Sequence, residues 1–535
     1  MSKKEEIISI LDQYPQYRET LFRRGYLITT SNDLSLDAYP FYGHWNKTMF
    51  GELKDGQDVH VYYHKLQDYH SVNENSFNIA MIGHAYNPFN MKYQEQEILK
   101  DLLYSYKVSE EDFFDKASEL TGVHLIILND KQRLIIVQDC SGMKSCYFGK
   151  INSEIYVTSH PQLVGDINDL KTDPFVKKLV NSRCYNIGNR YLPGNITPFE
   201  ELKRLGGNTY LEYKEKFMIK RFYPLKANDN IHSAEHFSKG IKQITEIMFR
   251  NIELTTKKWK RLSISLSGGI DSKTTLACAN GLYDQFKYFS FYCKPQEEVD
   301  ANAASEICHK LGLTHDIYEI ASNSELFEDF NVLKRIIDHN TSYFMNIADH
   351  EVRKMVYLYW LTDFEVELKS WVSETTRVFL ERKYRVKMPE VLNERHFSIF
   401  QTRYFMDSEL LIESDRRYKR FMKEIGLDKS IYNFDHSDLF YWEVRMGAWG
   451  TAVFASLDFC HNVTIPYNNR KLIELFLKLP KEDRKSDKIH KSVIKLANKD
   501  IYDMHLEIKN LYFHFYRIWL EKGYYFYRTM FYKSK

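Results

Sequence analysis

The chain has 535 residues, of which 44% are hydrophobic, and its 74 Lys and Arg against 72 Asp and Glu leave a formal net charge of +2. At roughly 150 residues per domain, this length predicts two to four domains. The balanced charge excludes a general electrostatic attraction to nucleic acid, and we expect no nucleic-acid partner.

The first residues, MSKKEEIISILDQYPQYRETLF, are charged and lack the apolar core of a signal peptide, and the chain contains no uninterrupted apolar run of about 18 residues. The seven cysteines are scattered from Cys140 to Cys460 without a Cys-x-x-Cys pair. Reduced thiols are therefore favoured over a disulfide framework or a zinc site. Both observations predict a cytoplasmic protein.

The first half, from Arg23 to about Tyr223, alternates short β-type segments with turn signals. These segments are GYLITT, DVHVYYHK, FNIAMIG, GVHLIILND, RLIIVQD, SEIYVTSH, NTYLEYK and FMIKRFYP. A helix is predicted from Gln94 to Tyr106, between two of the strands. The pattern predicts an α+β domain over residues 1–225 in which antiparallel sheets form layers.

A linker-like stretch, LKANDNIHS, and a helix from Ala234 open the second half, residues 234–535. Strands then alternate with helices: RLSISLS precedes a helix from Lys273, FKYFSFYC precedes a helix over 300–311, and HDIYEI precedes another helical region. This alternation predicts an α/β domain with a parallel sheet. Beyond Ile320 the pattern is mostly helical, with one buried strand at FEVELKSW.

The stretch LSISLSGGIDSKTTLACAN, residues 262–280, places two adjacent glycines between the first of these strands and its helix. In an open parallel sheet, ligands bind beyond the carboxyl ends of the strands. Gly268 and Gly269 allow a tight turn close to a ligand, while the Ser267 and Ser272 hydroxyls and the first N–H groups of the helix can donate to phosphate oxygens. The stretch therefore predicts a phosphate-binding turn.

Asp271 in this turn conflicts with a bound anion unless Mg²⁺ lies between them or the acid orients a reacting group. A Walker-type loop, G-x-x-x-x-G-K-[ST], would align Lys273 and Thr274 with its last two positions. It would then have Ser267 and Ser272 where it needs glycines, so this alternative fails. The remaining alternative is an ordinary strand-to-helix turn.

The turn resembles the S-G-G-x-D-S loop with which ATP pyrophosphatases bind the β- and γ-phosphates that leave together from ATP. The residues in the positions of that loop are Ser267, Gly268, Gly269, Ile270, Asp271 and Ser272. The resemblance implies ATP as the nucleotide bound by these residues, with Mg²⁺ at Asp271.

Later segments resemble asparagine synthetase, and they follow in that family's order. The segment FKYFSFYCKPQEEVDANAASEICHKLGLTHDIYEI resembles its adenosine-binding part, and IPYNNRKLIELFLKLPKEDR and KSVIKLANKDI resemble its later helices. The resemblance implies an adenine nucleotide α-hydrolase-like (PP-loop) synthetase domain with a parallel sheet and a helical C-terminal part over residues 234–535.

The family's second signature, S-G-x-G-x-D-E, resembles VELKSWVSETTRVF, which keeps Ser370, Ser373 and Glu374 but neither the glycines nor the Asp. The resemblance implies that Glu374 holds Mg²⁺ or acts as a catalytic base on an incoming amine, with Arg377 as its charge partner. The alternative is a surface glutamate at the start of a helix.

A late lysine in this family stabilises charge as the adenylate forms and collapses. The resemblance assigns this catalytic role to Lys509, in HLEIKN, with Lys491 as the second choice. For each lysine, the alternative is an ordinary solvated side chain on a helix.

The first half resembles the class II glutamine amidotransferase domain that precedes the synthetase domain in this family, best over residues 122–167. Such glutaminases need a cysteine as the first residue after Met removal, because its α-amino group is the base. Here residue 2 is Ser2, no cysteine precedes Cys140, and we expect the Lys-rich segment before GYLITT to be a flexible arm. We therefore expect an Ntn-like layered sandwich without glutaminase activity, serving as a scaffold or substrate platform.

Family members without the nucleophile, β-lactam synthetase and lasso-peptide cyclase, are similar in domain order. The resemblance implies a ligase that adenylates a small-molecule or peptide carboxylate, releases pyrophosphate and passes the acyl group to an amine or ammonia. One alternative is a non-catalytic nucleotide-binding scaffold, because the second signature is altered. Another is pyrophosphatase chemistry with a ureido or thiol outcome, which the lack of paired cysteines disfavours. The sequence leaves the substrates and the oligomeric state open.

The last residues, LYFHFYRIWLEKGYYFYRTMFYKSK (511–535), combine many aromatic rings with Lys and Arg. This composition makes the tail a candidate for weak contact with a membrane surface or a protein partner. The alternative is a final helix that packs on the synthetase domain.

Overall fold

The computed structural model describes residues 2–227, 233–361, 363–402, 407–504 and 515–530. The predicted boundary between residues 1–225 and 234–535 falls at a stretch that is only partly described, and the division into two domains stays a prediction. The structure confirms antiparallel sheets in the first half and a parallel sheet with helices in the second.

The strands of the first half pair in an antiparallel manner within two sheets. In chain order they are β1 (Tyr26–Thr29), β2 (Trp45–Glu52), β3 (Asp58–His64), β4 (Tyr69–Glu74), β5 (Phe77–Tyr86), β6 (Thr121–Asn129), β7 (Leu134–Gln138), β8 (Tyr147–Ile151), β9 (Glu154–Thr158), β10 (Lys203–Arg204), β11 (Thr209–Tyr213) and β12 (Phe217–Arg221). One sheet has the order β10-β8-β9-β1-β3-β2 and the other β12-β11-β7-β6-β5-β4.

The two sheets pack face to face around one apolar core, to which Ile28 and Val61 contribute from the first sheet and Ile82 and Leu125 from the second. Helices cover the outer faces, which gives the predicted layers. These helices are α1 (Lys3–Gln13), α2 (Glu95–Val108), α3 (Glu110–Ser118), α4 (Pro161–Ile167), α5 (Pro174–Val180) and α6 (Arg183–Ile187).

The segment before the first strand is helix α1, and the expectation of a flexible arm is wrong. The Ser2 side chain caps the helix and Glu5 completes a capping box. Ile7 and Leu11 are fully buried, so α1 is anchored by its apolar face. The helical spacing of the apolar residues in EEIISIL indicates this amphipathic helix, but the many lysines and glutamates around them favoured the interpretation as a flexible arm.

The second half contains the strands β13 (Leu262–Ser265), β14 (Phe286–Tyr292), β15 (His315–Glu319), β16 (Val366–Leu368) and β17 (Asn462–Thr464). Its helices are α7 (Ala234–Lys258), α8 (Ile270–Cys278), α9 (Pro295–Lys310), α10 (Phe330–Asn340), α11 (Asp349–Trp360), α12 (Phe379–Tyr384), α13 (Glu394–Gln401), α14 (Ser408–Ile425), α15 (His436–Leu439), α16 (Thr451–Leu457), α17 (Arg470–Lys478), α18 (Lys481–Lys485), α19 (Lys488–Ala497), α20 (Lys499–Asp503) and α21 (Phe515–Met530). A π-helical segment, Phe440–Gly450, joins α15 to α16.

The parallel sheet has the order β15-β14-β13-β16-β17. The chain adds strands on one side of β13 as far as β15 and then returns to add β16 on the other side. The strand order therefore reverses between β13 and β16, and the crevice at their carboxyl ends is the place where such sheets bind ligands. The turn predicted to bind phosphate follows β13 directly, at this switch point.

The described part of the tail is α21, which packs on α12 and α13. Tyr525 and Arg528 are buried on its inner side, and Arg528 Nη2 donates to Ser398 Oγ at 3.0 Å. Tyr516 and Trp519 are exposed. Packing thus accounts for one face of the helix, and contact with a membrane surface or partner stays a prediction. None of the described helices combines the length and apolar character that a membrane crossing requires.

Candidate functional site

The turn between β13 and α8 is partly exposed: Ser267 and Gly269 are half-buried, and Gly268 is buried. Ser267 Oγ and Ser272 Oγ share a hydrogen bond at 3.0 Å, and the Gly269 N–H donates to Ser267 Oγ at 3.4 Å. Gly269 has an ordinary extended backbone, with φ −68°, so the torsion angle does not require glycine. A Cβ at this position would have only Ser267 Oγ within 4 Å, at 3.3 Å. The glycine therefore leaves room for a ligand to approach the backbone.

The N-terminus of α8 has no side-chain cap among the described residues. The first N–H groups of a helix have no partner within the helix and carry partial positive charge. Together with the Ser267 and Ser272 hydroxyls, they form a set of donors at the switch point of the sheet, which is typical of phosphate-binding turns.

The Asp271 carboxylate accepts hydrogen bonds from side chains outside the turn. Its Oδ1 accepts a hydrogen bond from Ser373 Oγ at 2.6 Å, and its Oδ2 accepts one from Arg377 Nη1 at 2.9 Å. His490 Nε2 lies 3.0 Å from Ser373 Oγ and 4.0 Å from Asp271 Oδ1. The Asp271 side chain is 26% exposed, so this cluster is open to solvent on the side of the carboxylate.

Arg377 is the centre of the cluster. Its Nε and Nη2 donate to the two carboxylate oxygens of Asp487 at 2.8 and 3.0 Å. Its Nη1, which binds Asp271, also donates to Glu374 Oε2 at 2.6 Å. Arg382 Nη1 lies 3.4 Å from Glu374 Oε1 and 3.4 Å from Asp487 Oδ1. Three carboxylates thus contact two guanidinium groups, and the two parallel hydrogen bonds from Arg377 to Asp487 have the paired geometry that makes such contacts strong.

The groups of the cluster titrate differently because their surroundings differ. Burial raises the pKa of Glu374, and Arg377 offsets this only in part. Burial alone would also raise the pKa of Asp487, but the hydrogen bonds from Arg377 hold it below its usual value. Burial lowers the pKa of His490 to about 4, so its ring is neutral at pH 7. Of Glu374 and Asp487, Glu374 is therefore the acid that retains a proton more readily.

The segment after β16 meets the turn although the two are far apart in sequence. Ser370 Oγ lies 2.7 Å from Thr275 Oγ1 of α8, and Ser373, 102 residues from Asp271, donates to its carboxylate. Glu374 joins through Arg377. The tertiary structure therefore brings together all the predicted residues of the turn and the three residues kept from the second signature.

The two predicted Mg²⁺ ligands, Asp271 and Glu374, share the Nη1 group of Arg377. Among the described residues, no group of three His, Cys, Asp or Glu side chains is arranged to hold a metal ion. In this arrangement the residues do not fit a resident Mg²⁺, because a guanidinium already supplies the positive charge that two carboxylates alone would need. The metal role of Asp271 and Glu374 stays a prediction that the geometry does not support.

The predicted lysines lie away from this cluster or outside the described residues. Lys491 is exposed on α19, and Lys509 lies outside the described residues. The residue of α19 that reaches the cluster is His490, which sequence reasoning missed. The sequence pattern that could have indicated His490 is the helical spacing of KIHKSVIKLA. This spacing puts His490 on the same apolar face as Ile489, Val493 and Ile494, which are all buried.

Lys273 is a second residue that the motif did not single out for this site. It follows Ser272 in α8, and its ammonium has no ion-pair partner among the residues described. Burial lowers the pKa of Lys273. A partly buried cation without a counterion, one residue after the turn, is the type of group that an anionic ligand would stabilise.

The fold and this site define a class of protein: an α/β protein whose parallel sheet carries a serine- and glycine-containing turn at its switch point. Residues 252–357 match the family model described as asparagine synthase, which supports that family for this part of the chain. The match includes β13, the turn and α8, and it ends before the segment that contributes Ser373 and Arg377. Comparison with curated proteins returns no match.

Solved structures show low similarity to the chain. The structure of the allosteric regulatory enzyme of purine biosynthesis is 10% identical, with a TM-score of 0.23, over 52% of this chain and 62% of that one. Glutamine phosphoribosylpyrophosphate amidotransferase from B. subtilis, complexed with ADP and GMP, is 10% identical with a TM-score of 0.22, over 70% and 74%. Glutamine-dependent NAD+ synthetase from Acinetobacter baumannii, in complex with ADP, is 14% identical with a TM-score of 0.18, over 44% and 40%. The chain thus spans less than two thirds of the first of these structures.

Proposed function

We propose that the protein is an ATP-dependent ligase that forms a carbon–nitrogen bond, in which a carboxylate is adenylated with release of pyrophosphate and the acyl group passes to an amine or ammonia. The match of residues 252–357 to the asparagine synthase family supports an ATP-using ligase. The observation that carries the proposal is the turn at the switch point, where the Ser267 and Ser272 hydroxyls lie 3.0 Å apart at the start of α8, which has no side-chain cap among the described residues.

The first step is attack of a carboxylate oxygen of the substrate on the α-phosphorus of ATP, which breaks the bond to the bridging oxygen and releases pyrophosphate. In the proposal, the turn binds the β- and γ-phosphates, and Lys273 stabilises the charge that develops on the leaving pyrophosphate. Asp271 holds Ser373 and Arg377 in place beside the turn. ATP enters with whatever divalent cation it carries as part of the substrate.

The second step is attack of the amine nitrogen on the acyl carbon, which forms the C–N bond and releases AMP. The attacking nitrogen must lose a proton. Glu374 is the proposed base, because its raised pKa brings its proton affinity closer to what a base needs near neutral pH. Arg377 and Arg382 fix the orientation of its carboxylate.

The first half, in this proposal, supplies no ammonia from glutamine. Cys140 and Cys146 are the first cysteines of the chain; both are fully buried, and burial raises the pKa of each thiol to about 12. Such thiols are not nucleophiles at neutral pH. Arg24 lies two residues before β1, and its Nη1 donates to Asp458 O of the second half at 2.7 Å. These contacts support a role as scaffold or substrate platform.

The test is to incubate the protein with ATP, Mg²⁺, a panel of amino acids and small carboxylic acids, and hydroxylamine, which traps acyl adenylates as hydroxamates. Equal amounts of AMP, pyrophosphate and hydroxamate are expected with at least one acid. Asp271→Asn should lower the rate about 100-fold or more, the size of effect seen when one group that orients a charged transition state is lost. Asp284→Asn, an exposed acid in the same half, is the matched control.

An unchanged rate in Asp271→Asn would remove the turn from the mechanism. Tight ATP binding without AMP production from any acid would support the alternative, a non-catalytic nucleotide-binding scaffold. That alternative draws on one observation, the pairing of both predicted metal ligands with Arg377. Glutamate release from glutamine, measured in parallel, should be absent.

A further inference from the structure

A cleft of about 920 Å³ lies where the two halves of the chain meet, away from the turn after β13. Its walls come from the start of α1, from α4 and α5, and from α10 with the segment that follows it. Cavities of this volume are large enough to enclose most of a small organic molecule. None of the residues assigned to ATP or to the ligase chemistry lines this cleft.

The cleft has more basic than acidic groups. Its lysines are Lys3, Lys4, Lys171, Lys177 and Lys334, and its aspartates are Asp166, Asp169 and Asp338. Lys4 Nζ pairs with Asp169 at 2.7 Å, and Lys334 pairs with Asp349 outside the cleft.

Lys171 and Lys177 have no ion-pair partner among the described residues. Burial raises the pKa of Asp338, which weakens it as a counterion. Lys171 and Lys177, which we call the rim lysines, therefore leave a net positive charge at the exposed edge of the cleft.

A buried relay of side chains fixes one wall. The Asp166 carboxylate accepts hydrogen bonds from His339 Nε2 at 2.7 Å, from Gln162 Nε2 at 2.8 Å and from the Tyr39 hydroxyl. On the other side of the ring, His339 Nδ1 lies 2.9 Å from the Tyr343 hydroxyl. His339 is fully buried. This arrangement holds the Tyr343 ring in one orientation at the cleft wall.

Tyr343 in turn positions Lys3. The Lys3 ammonium lies 3.2 Å from the centre of the Tyr343 ring, a close cation–π contact. Burial lowers the pKa of Lys3, so its charged form is short of solvation and gains from an anionic partner. The contact thus holds a positively charged group at the cleft, and Lys3 forms no ion pair among the described residues, although Asp338 and Glu6 are near enough to favour its charged form.

Ser342 supplies a second and independent observation. It lines the cleft, is 6% exposed, and its Oγ has no hydrogen-bond partner among the described residues. A buried hydroxyl without a partner costs about 1–3 kcal/mol. The backbone of Ser342, Tyr343 and Asn346 has positive φ, at 51°, 60° and 44°. Strained backbone of this type occurs at ligand-binding positions more often than elsewhere.

The remaining wall of the cleft is apolar. It is formed by Leu170, Val176, Val180, Phe199, Phe344 and Ile347. A ligand that fits must therefore carry a negative group for the lysines and an apolar body for this wall.

We propose that the cleft is a binding site for a small carboxylate with an apolar body, in which Lys3 and the rim lysines hold the carboxylate, Ser342 donates a hydrogen bond, and Asp166, His339 and Tyr343 position Lys3. The site is separate from the proposed ligase site. Because it joins α1 to α10, a bound ligand stabilises the contact between the two halves. The proposal does not depend on ATP chemistry.

The test is isothermal titration of the full chain, without nucleotide, with three probes: 4-phenylbutyrate, its neutral amide, and inorganic phosphate. We expect phenylbutyrate to bind and the other two to bind at least about tenfold more weakly, a difference of about 1.4 kcal/mol. If the amide binds as tightly as phenylbutyrate, the lysines do not bind the carboxylate. Equal binding of phosphate would remove the apolar body from the proposal.

Variants assign the binding to this cleft. Lys3→Gln should weaken phenylbutyrate about tenfold, and Lys216→Gln, an exposed lysine in the β11–β12 turn, should have no effect. Ser342→Ala, which removes only the side-chain hydroxyl, should weaken binding by a smaller factor than Lys3→Gln does. The thermal midpoint checks that this variant keeps the fold. If Lys3→Gln and Lys216→Gln behave alike, the cleft is not the site. Because no ATP is present, this result leaves the ligase proposal untouched.

Discussion

Arg470 and Arg377 are both largely buried arginines of the second half, yet their surroundings differ. Arg470 is 1% exposed and donates to neutral acceptors: Asn208 Oδ1 at 3.1 Å and the carbonyls of Gln138 and Asp139 at 2.9 Å each. Burial lowers the pKa of Arg470. Arg377 binds three carboxylates, which together raise its pKa although burial opposes this.

The difference shows what each arginine does. All partners of Arg470 named above belong to the first half, so it joins the two halves and its environment is closed. The carboxylates around Arg377 are each 21–29% exposed, and His490 Nδ1 beside them has no partner among the described residues. A charged cluster that is open to solvent and incompletely satisfied is typical of a functional site, whereas a fully paired one is typical of structure.

The largest expected effect comes from Arg377→Met. Without the guanidinium, Asp271, Glu374 and Asp487 repel one another and a bound polyphosphate, so the rate of pyrophosphate release should fall about 100- to 1000-fold. The thermal midpoint should change little, because the acids can hydrate. Arg416→Met, at an exposed arginine that pairs with Glu413, is the control. A large fall of the thermal midpoint in Arg377→Met would show that Arg377, like Arg470, mainly stabilises the fold.

Arg470→Met should act in the opposite way. The variant leaves three buried acceptors without their donor, at about 1–3 kcal/mol each, so the free energy of unfolding should fall by about 3 kcal/mol or more. Thermal unfolding measures this, again against Arg416→Met. In the fraction that remains folded, the rate of pyrophosphate release should stay near that of the wild type. Selective loss of the rate would show that the junction takes part in the chemistry.

A smaller effect concerns pH and His490. Its pKa is about 4 in the folded protein and near 6.5 when unfolded, so the unfolded state binds more protons between these values. The stability due to the neutral ring is therefore present above pH 6.5 and is lost as pH falls towards 4, by about 1.4 kcal/mol per pH unit. In His490→Gln, the fall of the thermal midpoint from pH 6.5 to 4.5 should be less steep. Equal slopes would mean that His490 is not buried in its neutral form.

The sequence predicted much of the fold because its signals were local. Period-two segments such as FNIAMIG and GVHLIILND appear as β5 and β6, and the alternation after Ala234 appears as the parallel sheet. The boundaries were less well predicted. Helix α8 begins at Ile270 and not at Lys273, because Gly269 is its N-cap and the turn before it is shorter than expected.

The site was only partly predictable for a physical reason. Asp271 was expected to need a cation, and the structure supplies one from Arg377, which was named only as a partner of Glu374. Asp487 and His490 were missed because they reach the turn from α19 and the residue just before it, more than 200 residues later in the chain. The local sequence around Asp271, and that around Asp487 and His490, does not indicate that these residues will lie in the same cluster.

The sequence by itself determined the elements and the donors of the turn, since propensity, periodicity and short motifs act within a few residues. Only the tertiary structure decided that strand order reverses between β13 and β16, that a guanidinium lies between the expected metal ligands, and that α1 closes a charged cleft against α10. These outcomes depend on contacts between distant segments, whose energies are set by packing and charge pairing after the chain has folded.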